Sequence, residues 1–166
     1  MHSGTYIYIR HDILPVASQT ADREFVLGHT FKAPAAKVFA AYTDPKLIPQ
    51  WWAPKGGSIR VEVMDVRPGG KWRFVQRMPN GQEMVFTGTY LEVRPVTRLA
   101  YTFMIEGQPG NQLTATVDLK EADGMTLLTL TNLCASKEAR DAMVNYGAAA
   151  GAKVAWDGLA ELLARA

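Results

Sequence analysis

Residues 71–90 read KWRFVQRMPNGQEMVFTGTY and carry the clearest local signal in the chain. Trp72 and Phe74 alternate with polar residues, which is the period of a β-strand that buries one face. Pro79-Asn80-Gly81 then marks a tight turn, because Asn-Gly accepts the positive φ that hairpin turns require. The stretch therefore predicts two antiparallel strands joined by a hairpin.

Strand patterns continue on both sides of this hairpin. They cover 58–66, 71–77, 83–93, 99–106, 112–120 and 125–133. Six closely spaced strands in succession predict an antiparallel meander. Upstream, residues 24–31 predict one more strand, which is followed by a helix from Pro34 and a short second helix over 46–52.

The C-terminal part of the sequence predicts a helix that covers the sheet. From Ser136, a favourable N-cap, the pattern is helical to the end of the chain. One stripe of this helix contains Val144, Ala148, Ala152, Ala155, Leu159 and Leu162. A sheet with one apolar face needs a cover, and at 1.5 Å per residue this helix would be about 45 Å long. We predict an α+β fold over residues 23–166, a curved antiparallel sheet of about seven strands wrapped around a long C-terminal helix.

Residues 1–22 precede this pattern and end in the linker-like run 15–20. We interpret them as an N-terminal extension. The aromatic and β-branched residues at 6–9 suit an added edge strand or an arm that lies on another subunit, which would make the protein a homodimer. A tail without a role is the remaining alternative.

Composition limits the class of protein. The chain has 166 residues, 48% of them hydrophobic and 20% charged, which is typical of one globular domain. Its net charge of +2 is too small to attract phosphate backbones, so we expect no nucleic acid partner. Cys134 is the only cysteine, which favours a reducing cytoplasm. The start lacks the pattern of a secretory signal, and no apolar run reaches the roughly 20 residues of a membrane span.

Positive charge is concentrated between residues 55 and 77. The bases there are Lys55, Arg60, Arg67, Lys71, Arg73 and Arg77, and the acids are Glu62 and Asp65. This basic segment is either the solvated face of two strands or a contact face for an acidic partner.

The predicted C-terminal helix carries only glycine and alanine between Gly147 and Ala152. Either the sheet approaches the helix closely there, or an apolar gap opens that would serve as a ligand cavity. The residues expected to line such a cavity are Trp52, Trp72, Phe74, Phe86, Tyr101, Phe103, Leu113, Val117, Ala148, Ala152 and Trp156. Tyr101 or Arg73 would supply a polar anchor. Trp51 and Trp52 either form a lid or anchor their loop in the core.

Candidates for catalysis are few. The three histidines lie far apart without metal-binding spacing, so we predict no metal and no cofactor. Asp65 and Glu92 share the inward parity of their strands, and each is either an acid in the cavity or a group paired with solvent or with Arg67 or Arg94. His29 shares the parity of neighbouring core residues and is either a structural or a catalytic histidine.

Several segments carry a family likeness. They are Ala33-Pro34, Trp51-Trp52-Ala53-Pro54, 68–73, 79–81, 86–93 and 158–163. In this order they resemble the START-like, Bet v 1-like (SRPBCC) helix-grip superfamily and, within it, bacterial homologues of the C-terminal domain of the activator of Hsp90 ATPase. The resemblance covers residues 23–166. It implies a deep apolar cavity between sheet and C-terminal helix, which the superfamily uses to bind hydrophobic molecules and, in some branches, for catalysis, while eukaryotic relatives stimulate the chaperone Hsp90.

The chain departs from this family in its last helix. Members usually carry Gly-Met-x-x-Gly-Trp, but here Ala148 replaces the methionine and Ala152 replaces the tryptophan. Trp156 lies one helical turn later. We expect a cavity that is wider beside the two alanines and narrower beside Trp156.

Three functions follow as alternatives. The first is binding of a small hydrophobic or amphipathic molecule. The second is a module that regulates a chaperone or contacts another protein, and the third is a cavity enzyme that uses Asp65, Glu92 or His29.

Overall fold

The computed structural model of the protein describes residues 5–8, 22–108 and 112–165. The strands are β1 (Thr5–Tyr8), β2 (Glu24–Phe31), β3 (Ser58–Met64), β4 (Lys71–Arg77), β5 (Glu83–Arg94), β6 (Arg98–Ile105), β7 (Leu113–Ala122) and β8 (Met125–Leu133). The helices are α1 (Ala35–Thr43), α2 (Lys137–Asn145) and α3 (Ala148–Arg165). All eight strands form one sheet in the order β1-β2-β8-β7-β6-β5-β4-β3, with every neighbouring pair antiparallel.

The predicted α+β class is confirmed, with one strand, a helical connection, a six-strand meander and a closing helix. The sheet has one strand more than the predicted seven, because β1 pairs with β2 in the register Thr5↔His29 to Tyr8↔Val26. Strand β1 is therefore an added edge strand of the sheet. Most of the predicted N-terminal extension lies outside the described residues, and the boundary at residue 22 stays a prediction.

The second short helix, predicted over 46–52, is reduced to a single 3-10 turn at Ile48–Gln50. Pro49 lies within this turn and has no backbone N–H to donate, so it does not support a longer helix. The turn is nevertheless fixed, because the indole N–H of Trp51 donates to the carbonyl oxygen of Ala41 at 2.9 Å.

The helix predicted from Ser136 to the C-terminus is divided in two. The Ser136 hydroxyl accepts the N–H of Ala139 at 3.0 Å and so caps α2. The break falls at Gly147, which has φ +89°, a conformation that glycine adopts without steric cost. The 18-residue α3 is therefore the long C-terminal helix of the fold. Within the described chain, no helix combines the length and the apolarity needed to cross a membrane.

The core lies between the inner face of the sheet, α1 and α3. Its fully buried members from strands and helices include Phe25, Leu27, Phe31, Val38, Leu99, Val117, Leu128, Trp156 and Leu159. Side chains alternate between the two faces of a strand, so every second residue of β2, β7 and β8 points at this core. The same alternation sets which side chains reach the space beneath α3.

Candidate functional site

An apolar cavity of about 340 Å³ lies between the inner face of the sheet and the helices. Its lining is Phe25, Leu27, Tyr42, Trp51, Trp52, Phe86, Tyr101, Phe103, Leu113, Ala115, Leu130, Asn132, Met143, Ala148, Gly151, Ala152, Ala155 and Trp156. Small-molecule sites in proteins usually occupy about 300 to 1,000 Å³. The cavity is therefore large enough for a small ligand.

The cavity exists because the side chains on the first half of α3 are too small to fill the space between this helix and the sheet. Ala148, Gly151, Ala152 and Ala155 recur at three- and four-residue spacing, so they lie on one face of the helix and border the cavity. A methyl group added at Gly151 would meet no heavy atom within 4 Å. Gly151 is exposed whereas Trp156 is buried, so the cavity opens beside Gly151 and ends near Trp156.

The inner end of the cavity is held by a hydrogen bond between two helices. The indole N–H of Trp156 in α3 donates to the hydroxyl oxygen of Tyr42 in α1 at 2.9 Å. The imidazole of His29 also lies against Trp156, with ring centroids 5.7 Å apart. These contacts fix the large side chain that closes the space.

Trp52 is wedged among aromatic rings of the sheet. Its indole meets Phe74 and Phe86 edge-on, with centroid separations of 5.4 and 5.1 Å. Its neighbour Trp51 is buried and bound to the backbone of α1. These contacts favour the interpretation of the tryptophan pair as an anchor over that of a lid.

The polar groups of the lining are neutral. They are the hydroxyls of Tyr42 and Tyr101, the indoles of Trp51, Trp52 and Trp156 and the side-chain amide of Asn132. Burial raises the pKa of both tyrosine hydroxyls far above neutral pH, so both keep their protons. None of the described residues that line the cavity carries a charge.

Most of the predicted cavity residues meet at this site. Those that line it are Trp52, Phe86, Tyr101, Phe103, Leu113, Ala148, Ala152 and Trp156. Trp72 and Phe74 instead border a narrow adjoining space of about 20 Å³, and Val117 is packed in the core without reaching the cavity.

Several lining residues were not predicted from sequence. They are Phe25, Leu27, Tyr42, Trp51, Ala115, Leu130, Asn132, Met143, Gly151 and Ala155. The strand parity of β2 and β8 was a usable signal for Phe25, Leu27 and Leu130. Asn132 shares that parity, and a polar residue at an inward position is itself informative.

Asp65 and Glu92 do not keep the inward parity of their strands, because each follows a β-bulge. The register shifts between Val61 and Val63 in β3, and between Tyr90 and Glu92 in β5. An extra residue reverses the face of everything after it. Asp65 consequently pairs with Arg67 at 2.8 Å.

Glu92 lies in the same situation on β5. Its carboxylate is paired with Arg94 and lies 3.8 Å from Arg98. Neither Glu92 nor Asp65 lines the cavity. Of the two alternatives for these carboxylates, an acid in the cavity or a group paired with arginine, the structure contains the pairing with arginine.

Arg73, one of the two candidate polar anchors, lies on the outer face of the sheet. Its guanidinium is bound to Glu62 and donates to Glu106 at 2.9 Å. Tyr101, the other candidate, lines the cavity. The anchor role is thus open to Tyr101 and not to Arg73.

Three other bases of the segment 55–77 are also engaged with neighbours. Arg60 pairs with Glu62 at 2.9 Å, Lys55 lies 3.8 Å from Glu161, and the Lys71 ammonium donates to the Thr89 hydroxyl at 2.9 Å. The fold brings Glu106 and Glu161, two acids from outside the segment, next to its bases. The net positive charge around the segment is therefore lower than the sequence count indicates. Exposed pairs of this kind contribute about 0 to 1 kcal/mol each and exchange readily.

His29 is buried beside the cavity without lining it. Burial lowers the pKa of His29, while Asp157 acts in the opposite direction and Lys153 in the same one. Because its imidazole packs between Phe31 and Trp156, the structural alternative fits its surroundings. In the described part of the chain, no group of three or more His, Cys, Asp or Glu side chains is arranged to hold a metal ion.

The comparisons with known proteins agree with this geometry. The family model for activator of Hsp90 ATPase homolog 1-like protein matches residues 32–164. A solved protein from Rhodobacter sphaeroides is 27% identical, with 87% of this chain and 94% of that one covered and a TM-score of 0.82. One from Nitrosomonas europaea is 26% identical, with 87% and 96% covered and a TM-score of 0.76.

A protein from Mycobacterium smegmatis shares the fold at 23% identity, with 87% and 92% covered and a TM-score of 0.78. No curated protein matches the chain. The family match spans most of the sequence, including strands β3 to β8 of the sheet and nearly all of α3. The chain therefore belongs to the family of activator of Hsp90 ATPase homolog 1-like proteins.

Proposed function

We propose that the protein binds a small, largely apolar molecule in the cavity beneath α3. The observation that carries this proposal is the cavity of about 340 Å³ with a mainly aliphatic and aromatic lining. Protein interiors normally pack to crystal-like density, so an apolar space of this size is an exception that a ligand would fill.

The expected affinity follows from the area that a ligand would bury. At about 25 cal/mol per Å², hiding about 300 Å² of apolar ligand surface gives roughly 7 kcal/mol before the costs of ordering. Dissociation constants no tighter than the micromolar range are therefore expected.

A substitution that fills the cavity tests the proposal. Ala152 borders the cavity, whereas Ala150 on the same helix is exposed and absent from the lining. Ala152→Trp should abolish the fluorescence increase of N-phenyl-1-naphthylamine, a neutral apolar probe, while Ala150→Trp should leave it intact. Equal probe binding by the wild-type chain and both variants would refute the proposal.

The two other functions have less support. The protein-interaction alternative rests on the family and on the basic segment, whose charges are largely paired within the chain. The enzyme alternative has no shared site, because Asp65, Glu92 and His29 do not meet at the cavity. The single cysteine, Cys134, favours the cytoplasm as the place where the ligand is bound.

A further inference from the structure

Asn132 is a polar side chain at an apolar position of the cavity wall. It lies in β8 opposite Phe25 of β2 and Ala115 of β7, and both of these residues also line the cavity. Strand alternation therefore directs the Asn132 side chain to the cavity face. The residue is only 5% exposed.

The amide of Asn132 lacks a partner for its donor group. Its buried Nδ2 has no hydrogen-bond partner among the described residues. Leaving a buried polar group without a hydrogen-bond partner typically costs about 1 to 3 kcal/mol of folding free energy. Such groups are therefore rare in folded proteins, and a bound ligand or an ordered water can supply the missing partner. Rotation about the broad χ2 torsion of asparagine can turn the amide N–H groups towards the cavity.

We propose that Asn132 selects the ligand by donating a hydrogen bond to a neutral acceptor oxygen, a carbonyl or hydroxyl group on an otherwise apolar molecule. This inference rests on the proposed function and names the class of ligand. Apolar contacts with the cavity walls are not directional, so the hydrogen bond from Asn132 would fix the orientation of the bound molecule.

The remaining polar groups of the cavity fit the same class of ligand. The Tyr42 hydroxyl already accepts a hydrogen bond from Trp156, so its own hydrogen is available to donate. Tyr101 presents a second phenol. Both groups are donors suited to a neutral oxygen.

The absence of charge from the described lining argues against an anionic ligand. A buried carboxylate needs a paired cation or several strong donors, because the loss of hydration is otherwise too costly. Arg73 lies on the opposite face of the sheet, where it is paired with Glu62 and Glu106. Fatty acids in their ionised form are therefore expected to bind poorly.

Three probes with one aromatic skeleton separate these cases. They are 2-ethylnaphthalene, 2-acetylnaphthalene and 2-naphthoate, each measured by displacement of N-phenyl-1-naphthylamine. The variants are Asn132→Leu, which keeps the approximate size of the side chain, and Thr131→Val as the matched control. Thr131 is the preceding residue of β8 and faces the other side of the sheet.

The decisive quantity is the affinity for the ketone relative to the hydrocarbon. We expect this ratio to fall about three- to tenfold in Asn132→Leu, which is the range of one net hydrogen bond, and to stay unchanged in Thr131→Val. The naphthoate should be the weakest of the three ligands of the wild-type chain. An unchanged ratio in Asn132→Leu would overturn the inference, as would preferential binding of the naphthoate.

The two proposals fail in different ways. If none of the probes, N-phenyl-1-naphthylamine included, binds the wild-type chain, the proposed function is wrong. If the hydrocarbon and the ketone bind with a ratio that does not depend on Asn132, ligand binding stands and the role of Asn132 is wrong.

A second readout does not depend on the folding of a variant. In the wild-type chain, the side-chain amide NMR signals of Asn132 should shift on addition of 2-acetylnaphthalene and much less on addition of 2-ethylnaphthalene. Equal shifts with both compounds would contradict a hydrogen bond to the ketone.

Discussion

The indole N–H of Trp156 donates a 2.9 Å hydrogen bond to the hydroxyl of Tyr42, and this bond joins α3 to α1 at the buried end of the cavity. Both side chains line the cavity and both are buried. The bond therefore determines how far the cavity extends and keeps the bulky indole in one position.

Removal of this bond should destabilise the protein. Tyr42→Phe deletes the acceptor and leaves the buried Trp156 N–H without a partner, which should lower the free energy of unfolding by about 1 to 3 kcal/mol. Urea denaturation gives the value. Tyr146→Phe is the control, because Tyr146 is 92% exposed and its loss of a hydroxyl should have no measurable effect. Equal stability of both variants would show that the bond does not hold α3.

Position 88 requires glycine because neighbouring atoms leave no room for a Cβ, and not because of its backbone conformation. A Cβ at Gly88 would overlap the carbonyl oxygen of Thr102 and the indole Nε1 of Trp72. Gly88→Ala should therefore lower the free energy of unfolding by about 3 kcal/mol or more.

Gly151 provides the opposite case in the same chain. It lies within α3 and has open space around it, so Gly151→Ala should raise the free energy of unfolding by about 0.5 to 1 kcal/mol. Thermal denaturation of the two alanine variants measures both effects. A stable Gly88→Ala variant would mean that β5 and β6 are not as close as described.

Acid should weaken the fold in part through His29. Burial holds the pKa of His29 below its ordinary value of 6.5, so the unfolded chain binds more protons at this residue than the folded chain. Its contribution to stability is complete above the unfolded pKa and is lost as the pH falls from there through the folded pKa. Asp157 limits the shift and Lys153 adds to it.

The variant His29→Gln isolates this effect. The decrease in unfolding free energy between about pH 7.5 and about pH 5 should be smaller in His29→Gln than in the wild-type chain. Urea denaturation at several pH values in this range measures the difference. Parallel curves for the two proteins would show that His29 does not change its protonation on unfolding.

The sequence predicts the architecture well because period and turn chemistry are local signals. The hairpin at 79–81 and the alternation of β4 identify the meander without any knowledge of the contacts. Gly147 is harder to interpret, because a glycine within a helical pattern is compatible both with continuation and with a positive φ that ends the helix. Packing of α3 on the sheet decides between them.

The candidate site is predictable only where parity is unbroken. Phe86, Tyr101 and Phe103 follow regular alternation and line the cavity. Asp65 and Glu92 follow bulges, which sequence periodicity does not reveal, and they face outwards. Tyr42 and Met143 reach the site from helices whose relative placement depends on tertiary packing.

Native mass spectrometry of the wild-type chain with 2-acetylnaphthalene is the most direct test of the central claim. A 1:1 complex should form with the wild type and with Ala150→Trp, and it should be absent with Ala152→Trp, whose indole would occupy the space beneath α3. Complexes of equal abundance in all three proteins, or in none, would contradict a ligand-binding cavity at this position.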